Sequence, residues 1–137
     1  MSSALENQAG PGKSLVQEPP DAAEIGGLLR SGLARLADAK NLTLSWEGRF
    51  DLAYNAAHAL CLAALRQCGY RPRNRYIVFQ VLPHTLGLGP EVWRLLAKCH
   101  DIRNLGEYEG QMNVSERLVL DLIGAVDKVA EALANKR

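Results

Sequence analysis

The chain has 137 residues, of which 47% are hydrophobic and 23% charged, and its net charge is +1. This length corresponds to one domain with its own core, and the composition excludes disordered and fibrous proteins. The near-zero charge excludes a general attraction to nucleic acids or anionic membranes, so a polyanion would have to bind at a local site. Three widely spaced cysteines predict free thiols in a reducing compartment. With no secretory signal and no apolar run as long as a membrane span, we expect a cytoplasmic protein without membrane contact.

The N-terminal residues 1–19 combine glycines, prolines and small polar residues with little periodicity. Such a segment predicts a flexible tail. A helical domain is then expected over residues 20–137. Its first helix, at about 21–40, has leucines at helical spacing and Asp21 at the position that favours a helix start.

The second predicted helix is apolar on every side. Thr43 or Ser45 can cap its start, and it ends near Cys68, before Gly69. A helix without a polar face is buried in the middle of a structure. We therefore expect this helix either to be the central one or to be covered in part by a second subunit.

Three further helices are predicted in the C-terminal half. Residues 70–75 are expected to form a loop, and residues 76–82 a short helix, because a strand there would have no partner. Pro90 opens a long helix that continues to about residue 105. Ser115 caps the last helix. The sequence thus predicts an all-α domain of four long helices and one short helix.

Arg103 is the least expected residue in this pattern, because it lies on the apolar stripe of the helix that starts at Pro90. A guanidinium cannot lose its proton and is rarely buried without partners. Its partner is expected to be Glu107 one turn further on, Asp51 on the second helix, or a bound phosphate. An internal ion pair and a functional arginine both remain open.

A second group of basic residues surrounds the loop at residues 70–75. Four arginines fall within ten residues that contain no acidic residue, and two tyrosines are interleaved with them. Such a loop can bind phosphates and stack bases, although a solvated loop has the same composition. The candidate nucleic-acid-binding residues are Arg66, Arg71, Arg73 and Arg75.

Two stretches of the sequence, residues 51–69 and 101–108, carry short helix motifs. Residues 51–69 contain an aromatic residue, small residues and a histidine, followed by a glycine, as in the second helix of HEPN domains. Residues 101–108, with Arg103, Asn104 and Tyr108, look like the motif helix of that family. The resemblance covers residues 21–134 and implies an up-and-down four-helix bundle, HEPN-like, with one additional short helix.

The resemblance also implies a function. Many HEPN proteins are homodimers, and many are metal-independent endoribonucleases or partners of small nucleotidyltransferases in toxin–antitoxin systems. Their active site pairs an arginine with a histidine, and Arg103 matches the arginine with Asn104 as its polar neighbour. Tyr108 stands at the histidine position, and an unperturbed tyrosine is a poor base near pH 7. His58 or His100 could replace that histidine.

These residues lead to two hypotheses. In the first, a HEPN-like protein binds RNA or nucleotide phosphate through Arg103, with endoribonuclease activity as an open addition. In the second, a non-catalytic interaction module uses Arg103 as a structural or partner-binding ion pair. No cofactor is expected, and a zinc site at His58 and His100 with nearby cysteines is disfavoured because paired ligand spacing is missing.

Overall fold

The computed structural model describes residues 3–110 and 113–136, except for the side chains of Ser3 and residues 107–109. This part of the chain is mostly helical, as predicted, and it also contains two short strands. The elements are α1 (Ser3–Glu6), β1 (Leu15–Gln17), α2 (Ala22–Ala39), α3 (Trp46–Gln67), β2 (Tyr70–Pro72), α4 (Ile77–Gln80), α5 (Leu82–Thr85), α6 (Pro90–Glu109) and α7 (Glu116–Asn135).

The starts of the long helices follow from local capping. Asp21 accepts hydrogen bonds from the amides of Ala23 at 2.9 Å and Glu24 at 3.1 Å. The Ser45 hydroxyl accepts one at 3.0 Å in α3, and the Ser115 hydroxyl accepts one at 3.1 Å in α7. These bonds satisfy amides that have no partner within their own helix. The predicted starts are confirmed, with Ser45 rather than Thr43 as the second cap.

Helix α3 is the central helix of the fold. It packs most extensively on α2 and also contacts α7, α6, α4 and β2. Phe50, Leu60 and Leu65 are fully buried along it. Gly32 of α2 lies so close that an added Cβ would be 2.7 Å from Leu60 Cγ. The apolar surface of α3 is therefore covered largely by the chain itself.

The N-terminal segment is packed on the core, where the sequence predicted a flexible tail over residues 1–19. Leu5 is 2% exposed and Leu15 is completely buried. Strand β1 pairs antiparallel with β2, with Leu15 opposite Pro72 and Gln17 opposite Tyr70. Strand β2 lies where a loop was predicted. Strands of three residues are too short to produce a periodic sequence signal.

The region that carries α4 and α6 differs from the prediction only in detail. The short helix predicted at residues 76–82 is present as α4, followed directly by α5. Helix α6 runs past Gly106 to Glu109 and ends at Gly110, whose φ of 76° is left-handed. Glycine adopts this conformation without the steric cost of a side chain.

The three cysteines are free thiols, as their number and spacing predict. Cys61 and Cys99 are free and buried, and Cys68 is free and partly buried. Burial raises the pKa of the Cys99 thiol to about 12 and raises that of Cys61 as well. These two thiols are therefore protonated and unreactive at neutral pH.

Within the described residues, no helix combines the length and apolar character that crossing a bilayer requires.

Candidate anion-binding site

Tyr54 is the centre of a polar cluster where α3, α4 and α6 meet. Its side chain is almost fully buried at 1% exposure. The phenol oxygen is 2.8 Å from Nδ1 of His100 on α6. The ring packs against Phe79 of α4, with the centroids 6.0 Å apart. Tyr54 is thus held on two sides, and its ring is a fixed surface for the charged residues around it.

Two guanidinium groups approach this ring from different elements. The Cζ atom of Arg103, one turn after His100 on α6, is 5.2 Å from the ring centroid. The Cζ atom of Arg75, from the loop between β2 and α4, is 6.0 Å from it. Cations at these distances are attracted to an aromatic ring by about 0.5–2 kcal/mol. We call Tyr54, Arg75, His100, Arg103 and Asn104 the Tyr54 site.

Arg103 has an acidic partner, as the sequence required. Its Nε atom is 3.4 Å from Oδ1 of Asp51 on α3. The Asp51 side chain is 49% exposed, whereas that of Arg103 is 20% exposed. A pair whose acid is half-exposed contributes roughly 0–1 kcal/mol. The predicted partner Asp51 is confirmed, and the other candidate, Glu107, has its side chain outside the described part of the chain.

His100 uses both ring nitrogens in hydrogen bonds. Nε2 is 3.0 Å from the amide nitrogen of Asn104, and Nδ1 faces the hydroxyl of Tyr54. If the Asn104 amide donates to Nε2, the neutral ring carries its hydrogen on Nδ1 and donates it to the Tyr54 oxygen. Burial lowers the pKa of His100, and Arg75 and Arg103 lower it further against the opposing charge of Asp101. His100 is therefore neutral at pH 7, and one hydrogen bond must break before it can act as a base.

His58 lies next to the Tyr54 site and is also neutral. Its ring stands edge-on to Phe79, with centroids 6.3 Å apart. The Nε2 atom is buried and has no hydrogen-bond partner among the described residues. Burial lowers the pKa of His58 to about 4, helped by Arg75, His100 and Arg103. Because Nε2 is buried, this nitrogen does not reach a ligand directly, and His58 contributes to the environment of the site.

The four arginines around β2 do not act as one surface. Arg66 is fully buried and Arg71 is partly buried, and both bind Glu18 and Glu24. The fully buried guanidinium of Arg66 cannot reach a nucleic acid, which corrects the prediction for Arg66. Arg71 has its Nε and Nη2 atoms bound to the two carboxylates. Their acidic partners lie more than 40 positions away in the sequence, so a ten-residue window could not reveal them.

The other two arginines of that group are exposed. Arg73 donates from Nη2 to the carbonyl of Gly10 at 3.2 Å. Arg75 reaches the Tyr54 site. It forms no ion pair with any residue that the structure describes. Of the four arginines predicted to bind nucleic acid, Arg75 therefore lies at the Tyr54 site together with Arg103.

The sequence prediction brought together Arg103, Asn104 and His100 and gave no role to Tyr54, whereas Tyr76 was one of the two tyrosines expected to stack bases in the arginine-rich loop. The Tyr76 ring is partly exposed and lies edge-on to His100 at 5.4 Å. A signal for Tyr54 was present, because Asp51, Tyr54 and His58 are spaced three and four apart and share one face of a helix. Tyr108 belongs to the last turn of α6, and its side chain is outside the described residues.

A metal centre is not built into the described part of the chain. No group of three histidine, cysteine or carboxylate side chains there is close enough to hold an ion. His58 and His100 instead contact aromatic rings. The chemistry of the Tyr54 site among these residues is that of guanidinium groups, imidazoles and aromatic rings.

Comparison of the chain with family models, with curated proteins and with solved structures finds no match.

Proposed function

We propose that this protein binds the phosphate groups of RNA or of a nucleotide at the Tyr54 site. The observation that carries the proposal is the approach of Arg75 and Arg103 to one tyrosine ring from two separate elements. A guanidinium matches the oxygens of a phosphate with two parallel hydrogen bonds. Arg75 is exposed and has no ion pair among the described residues, so an anion can approach it.

The electrostatics of the site support an anionic ligand. Burial is the largest cause of the lowered pKa of both His58 and His100, and the charges of Arg75 and Arg103 lower it further. The same positive potential that disfavours an imidazolium favours a phosphate. Asp51 balances part of this charge, but its carboxylate is half-exposed. A phosphate bound at either guanidinium group would therefore lie in a favourable field.

The aromatic side chains support a nucleic-acid ligand over a simple anion. Tyr76 follows Arg75 directly and keeps part of its ring exposed. A partly exposed aromatic ring next to an arginine in the chain is an arrangement on which single-stranded bases can stack. Asn104 is exposed on the other side of His100 and carries an amide that can form hydrogen bonds. Single-stranded RNA is the ligand that uses all of these groups.

The HEPN resemblance is part of the same proposal. It assigns the chain to an up-and-down four-helix bundle that acts as a homodimer, with a small nucleotidyltransferase as partner in a toxin–antitoxin system. The proposal is supported by the motif residues Arg103 and Asn104, which share a site with the face of α3 that carries Asp51 and His58. The cytoplasm is the proposed location.

Binding is better supported than cleavage. Attack of a ribose 2′-hydroxyl on the adjacent phosphate needs a base that accepts its proton and a cation that stabilises the charged intermediate. Arg103 can supply the cation. His100 can accept the proton only after it leaves Asn104 or Tyr54, and Nε2 of His58 is buried. We therefore place phosphate binding first and metal-independent endoribonuclease activity second.

An interaction module is the second candidate function. The ion pair between Arg103 and Asp51 favours it, because a structural arginine would have such a partner. In this case Arg103 holds α6 to α3 or binds an acidic group of a protein partner. If the wild-type protein does not bind RNA, the interaction module is the favoured function.

The test is fluorescence anisotropy with a short labelled single-stranded RNA. We expect Arg75→Ala and Arg103→Ala each to weaken binding by about tenfold, which corresponds to about 1.4 kcal/mol. The matched control is Arg117→Ala, because Arg117 is 86% exposed and forms an Arg–Asp pair with Asp121 on α7. Equal affinity in wild type and both site variants would overturn the proposal.

Cleavage is tested with the same proteins in the presence of a metal chelator. If the site is catalytic, the wild-type protein cleaves RNA under these conditions and Arg103→Ala does not. Cleavage at equal rates by both proteins would assign the activity to a contaminant and leave a binding protein.

A further inference from the structure

A second set of charged side chains lies where the N-terminal segment meets α3 and β2. We call Glu18, Glu24, Arg66 and Arg71 the charge cluster. Arg71 donates from Nε and Nη2 to Oε2 of Glu18 at 2.9 and 2.7 Å. It also donates from Nη2 to both carboxylate oxygens of Glu24, at 3.0 and 2.9 Å. Arg66 donates from Nε to Oε1 of Glu24 at 2.9 Å. Each acid is thus shared by two arginines.

The charge cluster also fixes the backbone. The fully buried guanidinium of Arg66 donates to the carbonyls of Glu18 at 3.0 Å, Pro19 at 2.7 Å and Tyr70 at 3.2 Å. Hydrogen bonds from Arg71 and Arg66 lower the pKa of Glu18 and Glu24, respectively. Both carboxylates are therefore ionised at neutral pH. The link between β1 and α2 is held against the start of β2.

This attachment continues along the chain toward the Tyr54 site. Directly after β2, the amide of Arg73 donates to the carbonyl of Ser14 at 2.9 Å. At the other end of the loop, the side-chain oxygen of Asn74 accepts a hydrogen bond at 3.0 Å from the amide of Ile77, the first residue of α4. Arg75 lies between these two attachments. Its position over the Tyr54 ring is thus set by the N-terminal segment on one side and by α4 on the other.

We infer that Arg71 is a positioning residue for phosphate binding, because its ion pairs with Glu18 and Glu24 hold the β2 segment that places Arg75 at the Tyr54 site. This inference rests on the proposed function. It makes the N-terminal segment part of the binding apparatus, although the segment does not contact the Tyr54 ring. Arg71 acts through Arg75, so its effect on binding should vanish once Arg75 is removed.

A double-mutant cycle on the full chain tests this coupling. The variants are Arg71→Met, Arg75→Ala and the two combined, and the probe is the labelled single-stranded RNA. We expect Arg71→Met alone to weaken binding several-fold, and to change it by less than about twofold when Arg75 is already alanine. The control is Arg117→Met in both backgrounds, which should leave the affinity unchanged.

The cycle separates positioning from other roles of Arg71. Direct contact with RNA, or general loss of folded protein, would weaken binding equally in both backgrounds and would overturn the inference. No effect of Arg71→Met in either background would overturn it as well. Arg71→Lys keeps the charge but loses the forked geometry, so it repeats the test if Arg71→Met does not fold.

The cycle also distinguishes the two proposals. If Arg75→Ala binds RNA as tightly as the wild type, both the proposed function of Arg75 and its positioning by Arg71 are wrong. If Arg75→Ala binds RNA more weakly than the wild type, and Arg71→Met weakens binding as much in this variant as in the wild type, only the positioning of Arg75 by Arg71 is wrong.

Discussion

Replacement of Arg66 by methionine should cost about 3 kcal/mol of folding free energy. The guanidinium has no exposed surface, and it donates to three backbone carbonyls. Each acceptor left without a partner costs about 1 kcal/mol or more. Glu18 and Glu24 keep Arg71 as a partner, so the loss of their ion pairs with Arg66 adds at most about 1 kcal/mol. Methionine fills most of the volume of the Arg66 side chain. It also removes the desolvation cost of the buried charge, which offsets the loss of the two ion pairs.

Urea unfolding followed by far-ultraviolet circular dichroism measures this loss. Arg117→Met is the matched control, because that guanidinium is 86% exposed and should cost at most about 0.5 kcal/mol. A loss for Arg66→Met below about 1 kcal/mol would refute the reasoning. The hydrogen bonds of Arg66 would then contribute no more to the folding free energy than a surface ion pair does.

Two further predictions concern groups on α2, α3 and α7. His58 has a folded pKa of about 4, below its unfolded value of 6.5. The unfolded chain therefore binds the proton first, and up to about 3 kcal/mol of stability, complete above pH 6.5, is lost as the pH falls toward 4. Thermal unfolding across this range should show a flatter pH profile for His58→Leu, and an unchanged profile would contradict the prediction. Gly32→Ala should destabilise by about 1–3 kcal/mol, because its Cβ would lie 2.7 Å from Leu60. Gly124→Ala, with no atom within 4 Å of the new Cβ, should stabilise α7 by about 1 kcal/mol. Equal unfolding midpoints in urea for these two variants would be inconsistent with the packing of α2 on α3.

The long helices could be predicted from the sequence because their signals are local. Asp21, Ser45 and Ser115 each cap the helix that follows them, within three residues. The apolar surface of α3 indicated its central position. The end of α6 was placed too early, because Gly106 is tolerated inside a helix whereas Gly110, in the left-handed region, ends it.

The N-terminal segment could not be predicted because its partners are distant in the sequence. Glu18 and Arg71 are 53 positions apart, and the pairing of residues 15–17 with β2 joins similarly distant segments. The contact with Glu18 also occupies two Arg71 nitrogen atoms, Nε and Nη2, that could otherwise bind a nucleic acid. Composition alone describes this segment as a tail, since pairing between distant segments leaves no trace in a single sequence.

The candidate site was predictable only where it follows one helix. His100, Arg103 and Asn104 lie three and four positions apart on α6, so helical periodicity places them together. Tyr54 and Arg75 belong to α3 and to the loop before α4, and they join the site through tertiary packing. The burial that keeps Nε2 of His58 away from a ligand likewise depends on Phe79, 21 positions later in the sequence.

The salt dependence of RNA binding tests most directly whether Arg75 and Arg103 hold phosphates. The slope of log Kd against log salt concentration counts the phosphate contacts, at about 0.7 per contact for a single strand. We expect the variant with both arginines replaced by alanine to bind with a slope lower by about 1.4, while Arg117→Ala keeps the wild-type slope. A double variant whose slope equals that of the wild type would show that the two guanidinium groups do not contact phosphate.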